Sequence, residues 1–189
     1  MKVIAFNSSP RKNGNTQQLL DAVAGELQNE SIEVEHIRIG GKLLHGCTAC
    51  GSCSKNKGRC VFDDDPMNEW IAKMAAADGI LLGSPTYFAT VNTEMKALID
   101  RSGYVLKRTG DLRLKVGAPV VAARRGGAIQ TYNTLMAFFG IMEMIVPGSI
   151  YWNMGCGLMP GDVQRDDEGL ETMRQLGRNM AFVLKKVRG

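Results

Sequence analysis

Four of the chain's five cysteines crowd into one stretch, CTACGSCSKNKGRC, at Cys47, Cys50, Cys53 and Cys60. The spacing is C-x2-C-x2-C-x6-C. Three thiolates come from one short wrap and a later one closes the site, which suits a [4Fe–4S] cluster. Gly51 and Gly58 give such a loop the freedom to wrap. Structural zinc more often uses two separated pairs, yet four thiolates in one span also suit it. A metal-free loop of reduced thiols is the third reading. A thioredoxin-like pair fits poorly, because neither CTAC nor CGSC opens a helix. His45 stands near Cys47, but no ligand role for it is needed. The fifth cysteine, Cys156, reads as a lone thiol in a glycine-rich loop.

Three other segments have binding chemistry. NSSPRKNGNT (7–16) is dense in hydroxyls and amides and leads into a helix. Free N–H groups and the helix dipole make that a phosphate site. Ser8, Ser9, Asn13, Asn15 and Thr16 add polar groups, and Arg11 adds charge. The plainer reading is a capped surface turn with Thr16 near the helix start. The loop is neither a Walker A nor a GxGxxG turn. SPTYFATVN (84–92) offers Tyr87 and Phe88 as a wall for a flat ring. ARRGGAIQT (123–131) offers a floor, where Gly126 and Gly127 permit close approach and Arg124 or Arg125 meets an electron-rich ring edge. A phosphate nest, an aromatic wall and a glycine floor match the parts of flavin mononucleotide (FMN).

Alternating segments must position these loops. Apolar runs at 2–6, 79–85 and 116–123 read as strands buried on both faces. Residues 32–39 alternate as an edge strand does, and 144–152 supplies a last strand. Helical spacing marks 16–28, 67–77, 92–106, 128–142 and about 167–187. Trp70, Ile71 and Met74 face inward, Met142 and Met144 fill the core, and Asp100–Arg101 reads as a solvated pair. The alternation predicts a doubly wound α/β fold, a five-stranded parallel sheet in the flavodoxin-like order 2-1-3-4-5 with helices on both faces. The loops after the strands then share one edge, where such sheets bind ligands.

The 189 residues suit a single domain with a cysteine-rich insertion at about 40–65. The net charge of +4 is modest, and the one dense basic cluster is Lys55, Lys57 and Arg59. That argues against a nucleic-acid binder. No apolar run reaches the ~20 residues of a membrane span. The N-terminus lacks the core of an export signal, so the expected compartment is the cytoplasm, where disulfide frameworks are rare.

SPRKNGNT (9–16), GSPTYFATVNTEMKALIDR (83–101) and GDVQRDDEGLETMRQLGR (161–178) resemble the NADPH-dependent FMN reductase family of the flavodoxin-like superfamily. The cysteine stretch resembles its iron–sulfur flavoprotein branch. The resemblance implies FMN with its phosphate on Ser9, Arg11, Asn15 and Thr16, with Asn13 and Gln17 as further contacts. It implies that Pro85, Thr86, Tyr87 and Phe88 lie beside the isoalloxazine ring. The third loop departs from the family's T-G-G pattern, because Arg124 and Arg125 precede Gly126.

The expected activity is an oxidoreductase that takes electrons from NAD(P)H and passes them to a small acceptor or a ferredoxin-like carrier. It needs no acid–base triad, because the chemistry belongs to the cofactors. An FMN electron carrier without a nicotinamide site and a zinc-stapled nucleotide-binding module stay as alternatives. A homodimer or homotetramer is expected, since Trp70, Phe88, Tyr151 and Trp152 fall in or near loops at the ligand edge.

Overall fold

The computed structural model describes residues 1–56 and 58–188. Its strands are β1 (Lys2–Asn7), β2 (Glu33–Arg38), β3 (Gly79–Pro85), β4 (Val116–Ala123) and β5 (Met154–Cys156). They form one five-stranded sheet in the order β2-β1-β3-β4-β5, and every pairing is parallel. The helices are α1 (Asn15–Asn29), α2 (Met67–Ala76), α3 (Thr93–Thr109), α4 (Ala128–Ile141) and α5 (Asp167–Arg188). This is the flavodoxin-like order that the alternation predicts.

The sheet divides the core in two. Ile4, Phe6, Ile80 and Leu82 point to one side and pack with α2, α3 and α4. Val3, Ala5, Leu81, Val116 and Val120 point to the other and pack with α1 and α5. Period-two alternation explains the split, and burial on both faces explains why β1, β3 and β4 are apolar throughout. Edge strand β2 is less buried, and its Val34 and Ile37 pack on opposite sides of the sheet.

Three sequence expectations need correction. The segment 144–152 is not the last strand. Ile145 makes an isolated bridge to Val116, and β5 begins only at Met154. Pro147 has no N–H to donate and Gly148 follows it, so the ladder breaks there. Trp70 is not at the ligand edge. It is buried in α2, edge-on to Phe6 with centroids 6.4 Å apart. Asp100 and Arg101 are not a pair. Lys96 donates to Asp100 at 2.6 Å, one turn away, while Arg101 is 1% exposed and pairs with Asp65.

Candidate functional site

The loop after β1 is fastened from several sides. Ser8 donates from its N–H (2.9 Å) and Oγ (3.1 Å) to the Gly83 carbonyl at the end of β3. Buried Asn7 accepts from the Ser9 N–H at 2.8 Å and donates to Gln17 at 2.7 Å. Gly40 presses on the loop from the far side: a Cβ there would lie 2.1 Å from the Ser9 carbonyl oxygen. The loop then turns into α1 at Gly14, and no side chain caps the helix. The Gln17 and Gln18 N–H groups both turn to the Gly14 carbonyl. The N–H groups of Asn15 and Thr16 ahead of them have no side-chain cap, and the positive end of the helix dipole lies there. Thr16 is therefore not the cap of the plainer reading.

The other expected contacts divide. Ser9 and Thr16 are buried in the loop, whereas Arg11 and Asn13 are exposed. Arg11 donates to the Leu158 carbonyl at 2.9 Å and so bridges to the loop after β5. Asn15 and Gln17 have work inside the protein. The Asn15 side-chain oxygen accepts from the N–H groups of Gly161 (3.0 Å) and Val163 (3.4 Å). Gln17 accepts from Asn7 and donates to Asp21.

The loops after β3 and β4 meet each other. The Thr86 N–H donates to the Ala122 carbonyl at 2.7 Å. Gly127 has φ +84°, and a Cβ there would lie 3.1 Å from Ala89 and 3.4 Å from the Thr86 methyl. Only glycine combines that φ with that approach. Gly126 has open space around it, and Arg124 and Arg125 are exposed. Pro85 and Thr86 are half-buried. Tyr87 closes a tight turn with Thr90, while Phe88 (φ +48°) and Ala89 (φ +61°) sit in the left-handed region. Phe88 is fully exposed. Left-handed backbone at a non-glycine residue costs of order 1–3 kcal/mol and clusters at ligand clamps and switch regions. The Thr86 hydroxyl is buried without a partner, as are those of Thr131 and the amide nitrogen of Asn153.

The cysteine loop lies between β2 and α2. Cys47, Cys50, Cys53 and Cys60 all border one cavity of about 200 Å³. All four are free thiols. A short 3₁₀ turn at Ser52–Ser54 follows left-handed Gly51. Hydrogen bonds from Ser52, and also from Thr48, hold the Cys50 thiol below its ordinary pKa. The far wall is one face of α3, with Arg101, Tyr104, Val105 and Arg108 at helical spacing. The exit of the loop is pinned from α2. Asn68 accepts from the Cys60 N–H at 2.8 Å and donates to the carbonyls of Cys60 (3.1 Å) and Phe62 (3.0 Å). The cavity is not at the edge formed by the loops after β1, β3 and β4. Arg101 lies nine residues along α3 from Asn92, a rise of about 13 Å. Of the basic cluster, Lys55 is exposed, Arg59 pairs with Asp63 at 2.8 Å, and Lys57 lies outside the described residues.

A sequence model of the family described as NADPH-dependent FMN reductase matches residues 1–158. The chain belongs to that family. An iron-sulfur flavoprotein of Methanocaldococcus jannaschii is 42% identical over 195 residues, with 100% of each chain covered. An iron-sulfur flavoprotein of Methanosarcina thermophila is 31% identical, covering 99% of this chain and 97% of its own. In fold, the WrbA-like flavodoxin from Agrobacterium tumefaciens superposes with a TM-score of 0.68 at 20% identity, covering 99% of this chain and 98% of that one.

As a member of the FMN reductase family, the chain is an FMN-binding flavoprotein of oxidoreductase type. Several residues that shape its loops carried no sequence signal of their own. Asn92 donates to the Ser8 carbonyl at 2.6 Å and Gly40 presses on Ser9, both across long stretches of sequence, while Asn7 and Asn68 brace their own loops through nearby partners. The 157–163 loop stood out only as part of a family motif, yet it is tied to Arg11 and Asn15. Among the described residues no helix is long and apolar enough to cross a membrane.

Proposed function

We propose that the chain is an FMN-dependent oxidoreductase that draws electrons from NAD(P)H and passes them on through a [4Fe–4S] cluster on Cys47, Cys50, Cys53 and Cys60. The single observation that carries this reading is the shared cavity of the four free thiols, in a chain of an FMN reductase family. Each thiolate of such a cluster meets a different iron. Tetrahedral zinc instead needs its donors around one point. The C-x2-C-x2-C-x6-C spacing of the four thiols, three from one wrap and a later one, is what favours a cluster over zinc.

FMN accepts a hydride and releases single electrons, and the cluster carries them one at a time. The chain's own residues bind and orient. The head of α1, with Ser9, Arg11 and Thr16, receives the phosphate. Asn13 borders it, and Asn15 and Gln17 hold the loop's shape. Pro85, Thr86, Tyr87 and Phe88 would lie beside the ring, with Gly126 and Gly127 as its floor. Arg124 and Arg125 supply charge at the mouth for an anionic dinucleotide. The electrons leave to a small acceptor or a ferredoxin-like carrier.

The test is a spectrum of anaerobically purified, reconstituted protein with iron and sulfide assays. FMN near one per chain, iron near four, and bleaching by NAD(P)H are expected. Replacing Cys60 with alanine abolishes the iron, and replacing Cys156 with serine does not. Iron at background in reconstituted wild-type protein would rule out the cluster. Unbleached flavin under NAD(P)H, with the cluster present, would leave an electron carrier instead.

A further inference from the structure

Arg101 is the largest fully buried side chain in the protein. It projects from α3 into the wall of the cysteine cavity. Its guanidinium holds both ends of the cysteine loop. One terminal nitrogen donates to Asp65 and to the His45 carbonyl at 3.3 Å, two residues before Cys47. The other donates to the Phe62 carbonyl at 3.3 Å, two residues after Cys60. The Phe62 ring lies against the guanidinium at 5.7 Å and stacks on His45 at 5.2 Å. The Nε–H is buried without a partner.

Anchoring two carbonyls does not require a charge. A buried cation is costly to keep, even when paired, and neutral replacements of buried ion pairs are often tolerated. An unpaired buried donor adds to that cost. Asp65 pairs with the guanidinium, and Arg101 lines the same cavity as Cys47, Cys50, Cys53 and Cys60, so its charge stands among the sulfurs that the loop offers there. A [4Fe–4S] group with four thiolates is anionic, and one-electron reduction makes it more so. Hydrogen bonds to sulfur and local net charge set its potential.

We infer that Arg101 is the positioning residue of the cysteine cavity, whose buried charge and free Nε–H hold the reduction potential of the iron–sulfur group up. This rests on the cluster reading above. Asp65 is its counterweight: the carboxylate keeps the guanidinium oriented and tempers its field. The consequence is a signed pair of effects. Loss of the cation drives the potential down, and loss of the carboxylate drives it up.

The experiment compares full-length wild type, Arg101→Lys, Arg101→Gln and Asp65→Asn, all reconstituted anaerobically. Iron and sulfide are assayed first. The midpoint potential is then measured by dithionite titration with the cluster followed by electron paramagnetic resonance. The expected result is a more negative midpoint for Arg101→Gln, a more positive one for Asp65→Asn, and Arg101→Lys between Arg101→Gln and wild type. Iron-loaded variants that all share the wild-type midpoint overturn the inference and leave the cluster reading intact. Wild-type protein that takes up no iron overturns the cluster reading, and this inference with it. If Arg101→Gln holds no iron, Asp65→Asn decides: a raised midpoint supports the role, and an unchanged or lowered one overturns it.

Discussion

Asn92, at the head of α3, donates from Nδ2 to the Ser8 carbonyl at 2.6 Å, across 84 residues of sequence. The same amide nitrogen reaches Glu94 at 2.7 Å, and Glu94 in turn accepts from the Gly41 N–H at 2.8 Å. The loops after β1, β2 and β3 are thus one hydrogen-bonded unit. Replacing Asn92 with alanine leaves the buried Ser8 carbonyl short of a partner. That costs about 1–3 kcal/mol of stability. A urea titration of flavin-free protein reads the cost directly. FMN affinity falls with it, because the phosphate loop loses its brace.

Arg11 separates phosphate binding from ring binding. Its guanidinium is exposed and tethered to the Leu158 carbonyl. Replacing it with alanine removes a charge-assisted bond to a phosphate, worth about ten- to a hundredfold in FMN affinity. Riboflavin has the ring but no phosphate, so its affinity stays put. Flavin fluorescence titrations with both ligands check this. Equal losses for FMN and riboflavin would show that Arg11 only shapes the loop.

The sheet order, and with it the shared edge of the loops after the strands, was legible in the sequence because it is local in origin. β1, β3 and β4 carry continuous apolar runs, and β2 is more polar because it lies at the edge of the sheet. The cysteine spacing likewise placed four thiols on one cavity. The illegible parts depend on distant partners. Arg101 looked solvated beside Asp100, and its burial follows from Asp65 in another element. Gly40 has no local mark in the sequence, and its constraint is the backbone of Ser9 against it. β5 was misread because the pairing at Ile145 stops after a single bridge to Val116, and Val146 is half-buried against the α2–α3–α4 side of the sheet. The N–H groups at the head of α1 count as a site only once no cap is seen.

Acid weakens the β2 edge in a signed way. Glu35 accepts from Lys2 (2.8 Å) and Lys73 (2.6 Å), and these bonds hold its carboxyl below the ordinary value of 4.5. The folded chain therefore binds this proton less readily than the unfolded chain. The stabilisation is complete above the unfolded value and is lost as pH falls through the lower folded value. Both lysines reach solvent, so screening limits the effect to about 1 kcal/mol at most. Urea midpoints of wild type and Glu35→Gln differ near neutral pH and converge in acid. A gap that widens in acid would contradict the assignment.

Assembly is the remaining expectation, and without Trp70 it rests on fewer side chains. Phe88 is fully exposed on a left-handed turn, and Ile150, Tyr151 and Trp152 are each at least half exposed before β5. Tyr151 and Trp152 pack edge-on with centroids 4.8 Å apart, so they present a formed surface. Large aromatic side chains left in water are the usual core of an interface. A homodimer or homotetramer with closed symmetry buries them and shields the flavin mouth. Sedimentation velocity at micromolar concentration gives the state of the wild type, and a monomer there would end the expectation. Trp152→Ser and Phe88→Ser each shift the distribution toward smaller species while the far-ultraviolet circular dichroism is unchanged. Because the mouth opens with the interface, both variants also speed flavin release on dilution. Dissociation of subunits with no change in flavin release would separate the interface from the flavin mouth.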